Sequence, residues 1–174
     1  DDEWAMLEHL GALVDKSLVI VEGDSASSPR YRLLETTRAF ALERLAAEGT
    51  TLEWLRRHAE VTLAIFERAH RDIMAGVPSA RMIDRLAPEL DNLRGALRWA
   101  SEEGGDERIA VALFGAAVAG QGHFHYVALG AETWRWRDVL RQRVDASIPA
   151  ASAARFWLAC AEWGGSLTPA AAAE

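Results

Sequence analysis

Residues 30–45 read Arg-Tyr-Arg-Leu-Leu-Glu-Thr-Thr-Arg-Ala-Phe-Ala-Leu-Glu-Arg-Leu, and the periodicity of this stretch changes halfway along it. Tyr31 and Leu33 alternate with arginines, which is typical of a β-strand. From Glu35 or Thr36 onward the apolar spacing is helical, and Thr36 is the better candidate for the N-cap. The stretch therefore predicts a junction between a β-hairpin and a chain that is otherwise helical.

The residues upstream of this junction complete the hairpin and add one helix. Residues 4–14 place apolar side chains at the 3,4 spacing of an amphipathic helix, and residues 17–21 form a β-branched segment that predicts a strand. Residues 22–29 are rich in Gly, Asp, Ser and Pro and predict a loop, so residues 30–34 are the returning strand. Because two strands alone are marginally stable in water, we expect the hairpin to pack on neighbouring helices.

The residues downstream of the junction predict helices only. An apolar stripe indicates a long helix from Thr51, a candidate N-cap, to about residue 73. Pro88 predicts the start of another helix, because proline is tolerated in a first helical turn. Asp106 can cap the helix that follows two glycines, and residues 126–144 predict a longer helix. A last Ala-rich helix ends near Gly164.

The order of these elements gives the predicted fold class. Helix, strand, loop, strand, helix is the order of the closing half of a winged-helix domain. Gly122 and Gly164 end helices about 42 residues apart, a spacing typical of paired-helix repeats. The sequence thus predicts a mainly α fold, with a partial winged helix carrying one β-hairpin and then an antiparallel, TPR-like superhelix. The predicted domains are residues 1–49 (the C-terminal part of a winged-helix domain), 50–104 (a linking helical bundle) and 105–174 (degenerate TPR-like repeats).

Composition and charge limit the classes of function. The formal net charge is −7 and the isoelectric point about 5.3, which argues against a dedicated nucleic-acid surface. The first helix is itself acidic, with Lys16 as its single basic residue against Asp1, Asp2, Glu3, Glu8 and Asp15. We therefore expect this fragment not to bind DNA. No apolar run is long enough to span a membrane, and we expect a cytoplasmic protein.

Residue types that carry chemistry are sparse. The sequence has no Gly-x-x-x-x-Gly-Lys-Ser/Thr phosphate loop and no catalytic motif, so we expect no enzymatic activity. Its single cysteine, Cys160, lies in an apolar run and predicts a buried structural thiol that is not part of a metal site. His123 and His125 flank a Gly-rich loop without an obvious third metal ligand, so we expect them to line a gap between helices.

The candidate partner-binding residues are Trp134, Arg137 and Arg141, together with His123 and His125. Arg137 and Arg141 are four residues apart and share a predicted helix face with Trp134. Arginines beside an indole can stack on it or grip an anionic partner. The alternative is an ordinary exposed helix face whose charge is partly neutralised by nearby carboxylates.

Three segments resemble one known family. Residues 13–19 (Leu-Val-Asp-Lys-Ser-Leu-Val), residues 31–41 (Tyr-Arg-Leu-Leu-Glu-Thr-Thr-Arg-Ala-Phe-Ala) and residues 88–100 (Pro-Glu-Leu-Asp-Asn-Leu-Arg-Gly-Ala-Leu-Arg-Trp-Ala) are similar to bacterial transcriptional regulators built on a STAND (NB-ARC-type) ATPase. The resemblance covers about residues 5–145. It implies an upstream nucleotide-binding domain that holds ATP or ADP, then a winged-helix domain, then a helical repeat sensor. We expect no cofactor in the fragment itself.

The same resemblance marks the junction as a candidate nucleotide-proximal site. Related ATPases carry a His-Asp pair where the second strand meets the helix, and that His contacts the nucleotide phosphate. Leu34 and Glu35 hold these two positions here. Because leucine cannot donate a hydrogen bond, this difference predicts that the fragment does not sense the nucleotide directly.

The hypothesis from the sequence is a non-catalytic regulatory and sensor fragment of such a regulator. Its expected partners are the upstream nucleotide-binding domain of the same chain and an unidentified protein or small-molecule effector. Two alternatives stay open at this point. One is a free-standing helical-repeat scaffold, and the other is a winged-helix module that binds DNA.

Overall fold

The computed structural model describes residues 2–23, 29–119 and 130–164. They belong to two compact units, of which the first ends at Leu52 and the second begins at Glu53. The described chain is mainly helical and contains one two-stranded antiparallel hairpin after an N-terminal helix. This architecture confirms the predicted fold class of a mainly helical chain that starts like a winged helix.

The N-terminal unit consists of two helices and the hairpin between them. Helix α1 spans Glu3–Asp15, strand β1 Val19–Glu22, strand β2 Arg30–Leu33 and helix α2 Glu35–Ala47. The strands pair in the register Val19↔Leu33, Ile20↔Arg32, Val21↔Tyr31 and Glu22↔Arg30. Within this unit Val19 is the buried hydrophobic residue among those the structure describes. The hairpin is therefore well paired, while most apolar side chains around it remain exposed.

Strand β1 begins two residues after its predicted start at Ser17. Ser17 has a φ of 56°, in the left-handed region that only a few non-glycine residues adopt. Its N–H donates to the Val14 carbonyl at 2.8 Å, and the N–H of Leu18 donates to the Leu13 carbonyl at 3.0 Å. These bonds close the end of α1, so Ser17 belongs to the helix terminus and not to the strand.

Helix α2 begins at Glu35, and the prediction of Thr36 as its N-cap was wrong. Leu34 holds the N-cap position, with φ −61° and ψ 148°, and its side chain makes no capping hydrogen bond. Strand β2 ends at Leu33, and the extended backbone continues through Leu34. The helix therefore begins before Thr36, whose hydroxyl lies two residues past the N-cap position.

The second unit is built from helices in its described part. Helix α3 begins at Thr51, two residues before this unit, and runs to Met74. It is followed by α4 (Ser79–Leu86), a 3-10 turn (Ala87–Glu89), α5 (Leu90–Ser101), α6 (Glu107–Val118), α7 (Gly130–Leu140) and α8 (Ala150–Gly164).

Three predicted helix boundaries have different outcomes. Asp106 caps α6 as predicted, because its carboxylate accepts from the N–H groups of Arg108 and Ile109 at 3.0 and 3.3 Å. Thr51 is not a cap, since it is the first residue of α3 and its hydroxyl has no hydrogen-bond partner. Pro88 lies inside the 3-10 turn, so α5 starts at Leu90, two residues later than predicted.

Helix α7 ends at Leu140, four residues before its predicted end. The chain turns over residues 141–143, and Arg143 Nη1 donates to the carbonyl oxygen of Ser101 at 2.8 Å. This contact with the end of α5 replaces another turn of α7. The predicted beginning, residues 126–129, lies outside the described residues.

Helix α6 is the centre of the second unit. Every residue from Ile109 to Val118 is buried, so this helix has no polar face. Gly115 lets α8 approach closely, because a Cβ at Gly115 would lie 3.0 Å from the backbone nitrogen of Phe156. The rings of Phe114 and Phe156 pack with their centroids 5.2 Å apart. The core therefore depends on close contact between α6 and α8.

Helix α3 lies beside α6 and runs in the same direction. Near the start of both helices, Arg56 Nη2 contacts Asp106 Oδ2 at 2.9 Å. Near their ends, His70 Nδ1 is 3.0 Å from the carbonyl oxygen of Ala119. One hydrophobic cluster contains residues from both sides of position 104, and the domain boundary at that position stays a prediction. The TPR-like repeat also stays a prediction, since Gly122 lies outside the described residues.

Among the described helices, none combines the length and the apolar character that a membrane crossing requires.

Candidate interaction surfaces

The strand-to-helix junction presents both of its candidate residues at the surface. Leu34 is exposed and lies between β2 and α2. Glu35, whose side chain is 85% exposed, lies 3.4 Å from Arg38 Nη1, one helical turn along. An exposed i,i+3 pair of this kind contributes little to stability. Leu34 and Glu35 are both exposed, and their proximity to a nucleotide stays a prediction.

Helix α1 exposes apolar side chains that its spacing had indicated as a core stripe. Trp4 is 78% exposed, and Met6, Leu7 and Leu13 are also exposed. No residue of the helix is buried. The helix carries a carboxylate at its N-cap, where Asp2 accepts from the N–H of Trp4 at 3.1 Å. This surface is thus both apolar and acidic.

The predicted partner-binding residues at α7, Trp134, Arg137 and Arg141, lie together, but both arginines already contact a carboxylate of that helix. The Arg137 guanidinium stacks over the ring of Trp134 at 4.2 Å from the centroid. The same guanidinium donates to Asp138 Oδ1 from Nε at 3.2 Å and from Nη2 at 2.8 Å. The Arg137 side chain is 19% exposed. Arg137 is therefore held between an indole and a carboxylate, which leaves it less available to an anionic partner.

Arg141 completes this cluster from one turn further along. Its Nε lies 3.8 Å from Asp138 Oδ1, so one carboxylate serves both arginines. The hydrogen bond from Arg137 lowers the pKa of Asp138, with a smaller contribution from the charge of Arg141. Cys160 on α8 is half-buried, and burial raises the pKa of its thiol to about 11 despite these two positive charges. At neutral pH this cysteine is a neutral thiol, as expected of a structural residue.

Two histidines of the described chain make contacts with residues distant in sequence. His58 Nε2 lies 3.4 Å from Asn92 Oδ1, and His70 contacts the end of α6. His123 and His125 lie outside the described residues, so their role stays a prediction. No cluster of metal-ligating side chains occurs in residues 2–23, 29–119 and 130–164.

A further set of charges links α5 to α7, which sequence reasoning had missed. Arg94 Nε donates to Glu132 Oε2 at 2.9 Å, and Arg94 Nη1 donates to Asp91 Oδ1 at 2.9 Å. The hydrogen bond with Glu132 raises the pKa of Arg94, against the opposing effect of burial. The Arg94–Glu132 pair therefore links α5 to α7. Because the two residues are 38 positions apart, no short-range spacing in the sequence predicts this pair.

The exposed side of α3 was also missed. Six exposed residues at helical spacing form one line along it, which we name the outer stripe: Trp54, Arg57, Val61, Ala64, Arg68 and Arg71. The Arg57 guanidinium lies over the Trp54 ring at 5.3 Å from the centroid. The sequence contains a signal for this stripe. Its residues follow each other at intervals of three and four, on the side of α3 opposite the apolar stripe that predicted the helix.

A cleft of about 640 Å³ lies at the corner between α5 and α6. Its lining is rich in carboxylates and includes Glu102, Glu103, Glu107, Arg108, Arg143 and Ser147. Arg143 is already engaged there, with its Nη1 3.5 Å from Glu107 Oε1. The cleft therefore offers no concentrated positive charge for an anionic ligand.

The N-terminal elements indicate which kind of domain residues 1–46 form. A helix, an antiparallel hairpin and a second helix form the closing part of a winged helix, and residues 1–46 match the family model described as a winged helix-turn-helix domain. The chain thus carries a winged helix-turn-helix domain at its N-terminus.

Curated relatives extend this similarity toward transcriptional regulators. The chain is 39% identical over 103 residues to proteins named "Putative HTH-type transcriptional regulator" from Mycobacterium bovis and from two strains of Mycobacterium tuberculosis. The match covers 59% of this chain and 11% of each relative, so the chain spans about a ninth of their length. No solved structure matches the chain.

Proposed function

We propose that the chain is a non-catalytic regulatory part of a transcriptional regulator built on a STAND ATPase, and that its N-terminal unit works through protein contacts. The similarity to HTH-type transcriptional regulators supports the regulatory role. The proposed partners are the nucleotide-binding domain of the same protein and an effector that the helical unit senses. In this proposal ATP or ADP binds in that other domain, and the protein is cytoplasmic.

The surface of α1 is the observation that carries the proposal. In the order of elements, α1 takes the place of the helix that reads DNA in winged-helix modules. A helix that contacts phosphate needs clustered lysine or arginine. The exposed residues of α1 instead include Trp4, Met6 and Leu7, with the carboxylates of Glu3 and Glu8 nearby in sequence. Exposed apolar patches of this kind are typical of protein-protein contacts.

The ATPase part of the proposal is tested by the gene sequence upstream of Asp1. We expect it to encode a Gly-x-x-x-x-Gly-Lys-Ser/Thr loop after a predicted strand and before a helix, because backbone N–H groups in that setting cradle the phosphates. A complete upstream sequence without this loop would overturn the ATPase role. It would favour the helical-repeat scaffold, which needs no nucleotide.

DNA binding is the second candidate function, and the winged helix-turn-helix match at residues 1–46 favours it directly. The hairpin contributes Arg30 and Arg32 to this unit. Arg32 is paired with Glu22 across the strands, which neutralises its charge locally. The two candidates therefore differ in one measurable property, the affinity of the chain for a DNA duplex.

For this reason we predict that the 174-residue chain does not shift a duplex of about 30 base pairs at low salt. Non-specific binders of DNA have dissociation constants of about 10⁻⁴ to 10⁻⁶ M at physiological salt and bind more tightly at lower salt. The acidic residues of α1 repel phosphate and should abolish even this binding. A gel-shift titration up to about 100 µM protein covers the range.

A charge-reversed variant provides the positive control for this titration. Replacing Glu3→Lys, Glu8→Lys and Asp15→Lys should produce a shift that weakens as salt increases. A salt-sensitive shift by the unmodified chain would show instead that the winged helix binds DNA.

A further inference from the structure

The outer stripe of α3 is an unassigned surface in the second unit. Its six residues lie along one side of the helix, while Ala59, Thr62, Phe66 and Ala69 on the opposite side are buried. From Trp54 to Arg71 the stripe extends about 25 Å at the helical rise per residue. It is a straight, continuous surface on a rigid element.

Three arginines give the stripe its charge. Within the described part of the chain, Arg57, Arg68 and Arg71 form no ion pair, although the whole sequence is acidic. The carboxylates that lie next to them are paired elsewhere: Glu60 with Arg56, Asp72 with Arg85 and Glu67 with Arg155. Glu53, in the first turn, is the remaining carboxylate of this helix. The stripe is consequently a local concentration of positive charge.

Apolar side chains lie among these arginines. Trp54 is 47% exposed and Val61 is 59% exposed, and Ala64 follows Val61 on the same line. A phosphate backbone would pair with the arginines but would leave Val61 and Ala64 uncovered. A polypeptide with both carboxylates and apolar side chains would pair with the charges and bury the apolar surface together. This combination favours a protein partner over a nucleic acid.

We propose that the outer stripe of α3 is a docking surface for an acidic amphipathic helix of a partner protein. Apolar residues of the partner cover Trp54, Val61 and Ala64, and its carboxylates pair with Arg57, Arg68 and Arg71. A helix suits this surface because its side chains repeat along one face at the same spacing as those of α3. The proposal concerns the second unit alone and does not depend on the function proposed for the winged helix.

The test uses the full 174-residue chain and a defined peptide probe. The probe is a fluorescein-labelled helical peptide of about 18 residues, long enough to follow the whole stripe. It carries leucines on one face and glutamates beside them. We expect binding by fluorescence anisotropy at low salt, with weaker binding as salt increases. The same peptide with lysine in place of every glutamate should not bind.

Variants of the chain show whether the binding occurs at the stripe. Arg57→Gln, Arg68→Gln and Arg71→Gln together should weaken binding about tenfold, because three rim charge pairs are lost. A matched control removes the same charge from exposed helical positions elsewhere, with Arg81→Gln, Arg98→Gln and Arg135→Gln. The control should leave the affinity within about twofold of the unmodified chain.

A second variant tests the apolar part of the stripe while all its arginines are kept. Val61→Glu places a carboxylate in the middle of the stripe and should abolish binding while the helical circular dichroism is kept. The proposal is overturned if the acidic peptide does not bind, or if the control variant loses as much affinity as the stripe variant. It is also overturned if a DNA duplex binds at the stripe and the acidic peptide does not.

Discussion

Replacing Phe156→Ala is expected to lower the free energy of unfolding of the second unit by about 4 kcal/mol. The side chain is fully buried in α8 and packs against the ring of Phe114 at 5.2 Å. Removing it takes away the ring contact with Phe114 and leaves a cavity beside backbone that is already in close contact. The loss is measured by urea denaturation followed by circular dichroism at helical wavelengths.

Leu158→Ala is the matched control for this substitution. Leu158 lies two residues along the same helix and is 48% exposed, so its truncation should cost less than about 1 kcal/mol. Equal losses for the two variants would show that α8 does not pack on α6 through Phe156. Such a result would also contradict a core centred on the contact between α6 and α8.

Gly105→Ala is expected to cost about 3 kcal/mol, the second large effect. A Cβ at this position would lie 2.3 Å from the carbonyl oxygen of Trp99 and 2.7 Å from that of Ala100. Both atoms belong to the backbone of α5 and cannot move aside as a side chain would. The corner between α5 and α6 would have to open, which would displace the Asp106 cap that follows it.

Alanine substitutions at two other glycines serve as controls, and urea denaturation measures the free energy of unfolding of all three variants. Gly104 has a φ of 84° with open space around its missing side chain, so Gly104→Ala should cost about 1 kcal/mol from backbone strain alone. Gly95 lies within α5, and its added Cβ would meet His58 Cε1 at an ordinary 3.8 Å. Gly95→Ala should therefore stabilise the chain by about 0.8 kcal/mol. A Gly105→Ala variant as stable as the unmodified chain would contradict the close approach at this corner.

The strand-to-helix junction was predictable because its signals are local. The alternation at Tyr31 and Leu33 and the helical spacing after Glu35 are contained in a dozen residues, and β2 and α2 form as they indicate. The cap residue was predicted wrongly, because Thr36 has the right chemistry but lies two residues beyond the extended backbone of Leu34. Local propensity thus defines the elements better than it defines their ends.

The residues of the candidate site on α7 were predictable, but their ion pairing and their burial were not. Trp134, Arg137 and Arg141 share one face, as their spacing requires. The spacing does not show that Asp138 accepts from Arg137, nor that the Arg137 side chain is only 19% exposed. The outer stripe of α3 is the reverse case, since its spacing was visible in the sequence, but only the apolar stripe on the opposite side was used to predict the helix.

The sequence by itself determined the helices, the N-terminal hairpin and the likeness to winged-helix regulators, because periodicity and turn residues act within a few positions. Only the tertiary structure decided which apolar and charged faces are covered. The same spacing by three and four residues places Phe66 in the core and leaves Met6 and Leu7 exposed on α1. Whether such a face is buried depends on what packs against it. Phe66 lies in one hydrophobic cluster with Leu93 of α5 and Leu113 of α6, and neighbours that are distant along the chain leave no mark in the local pattern.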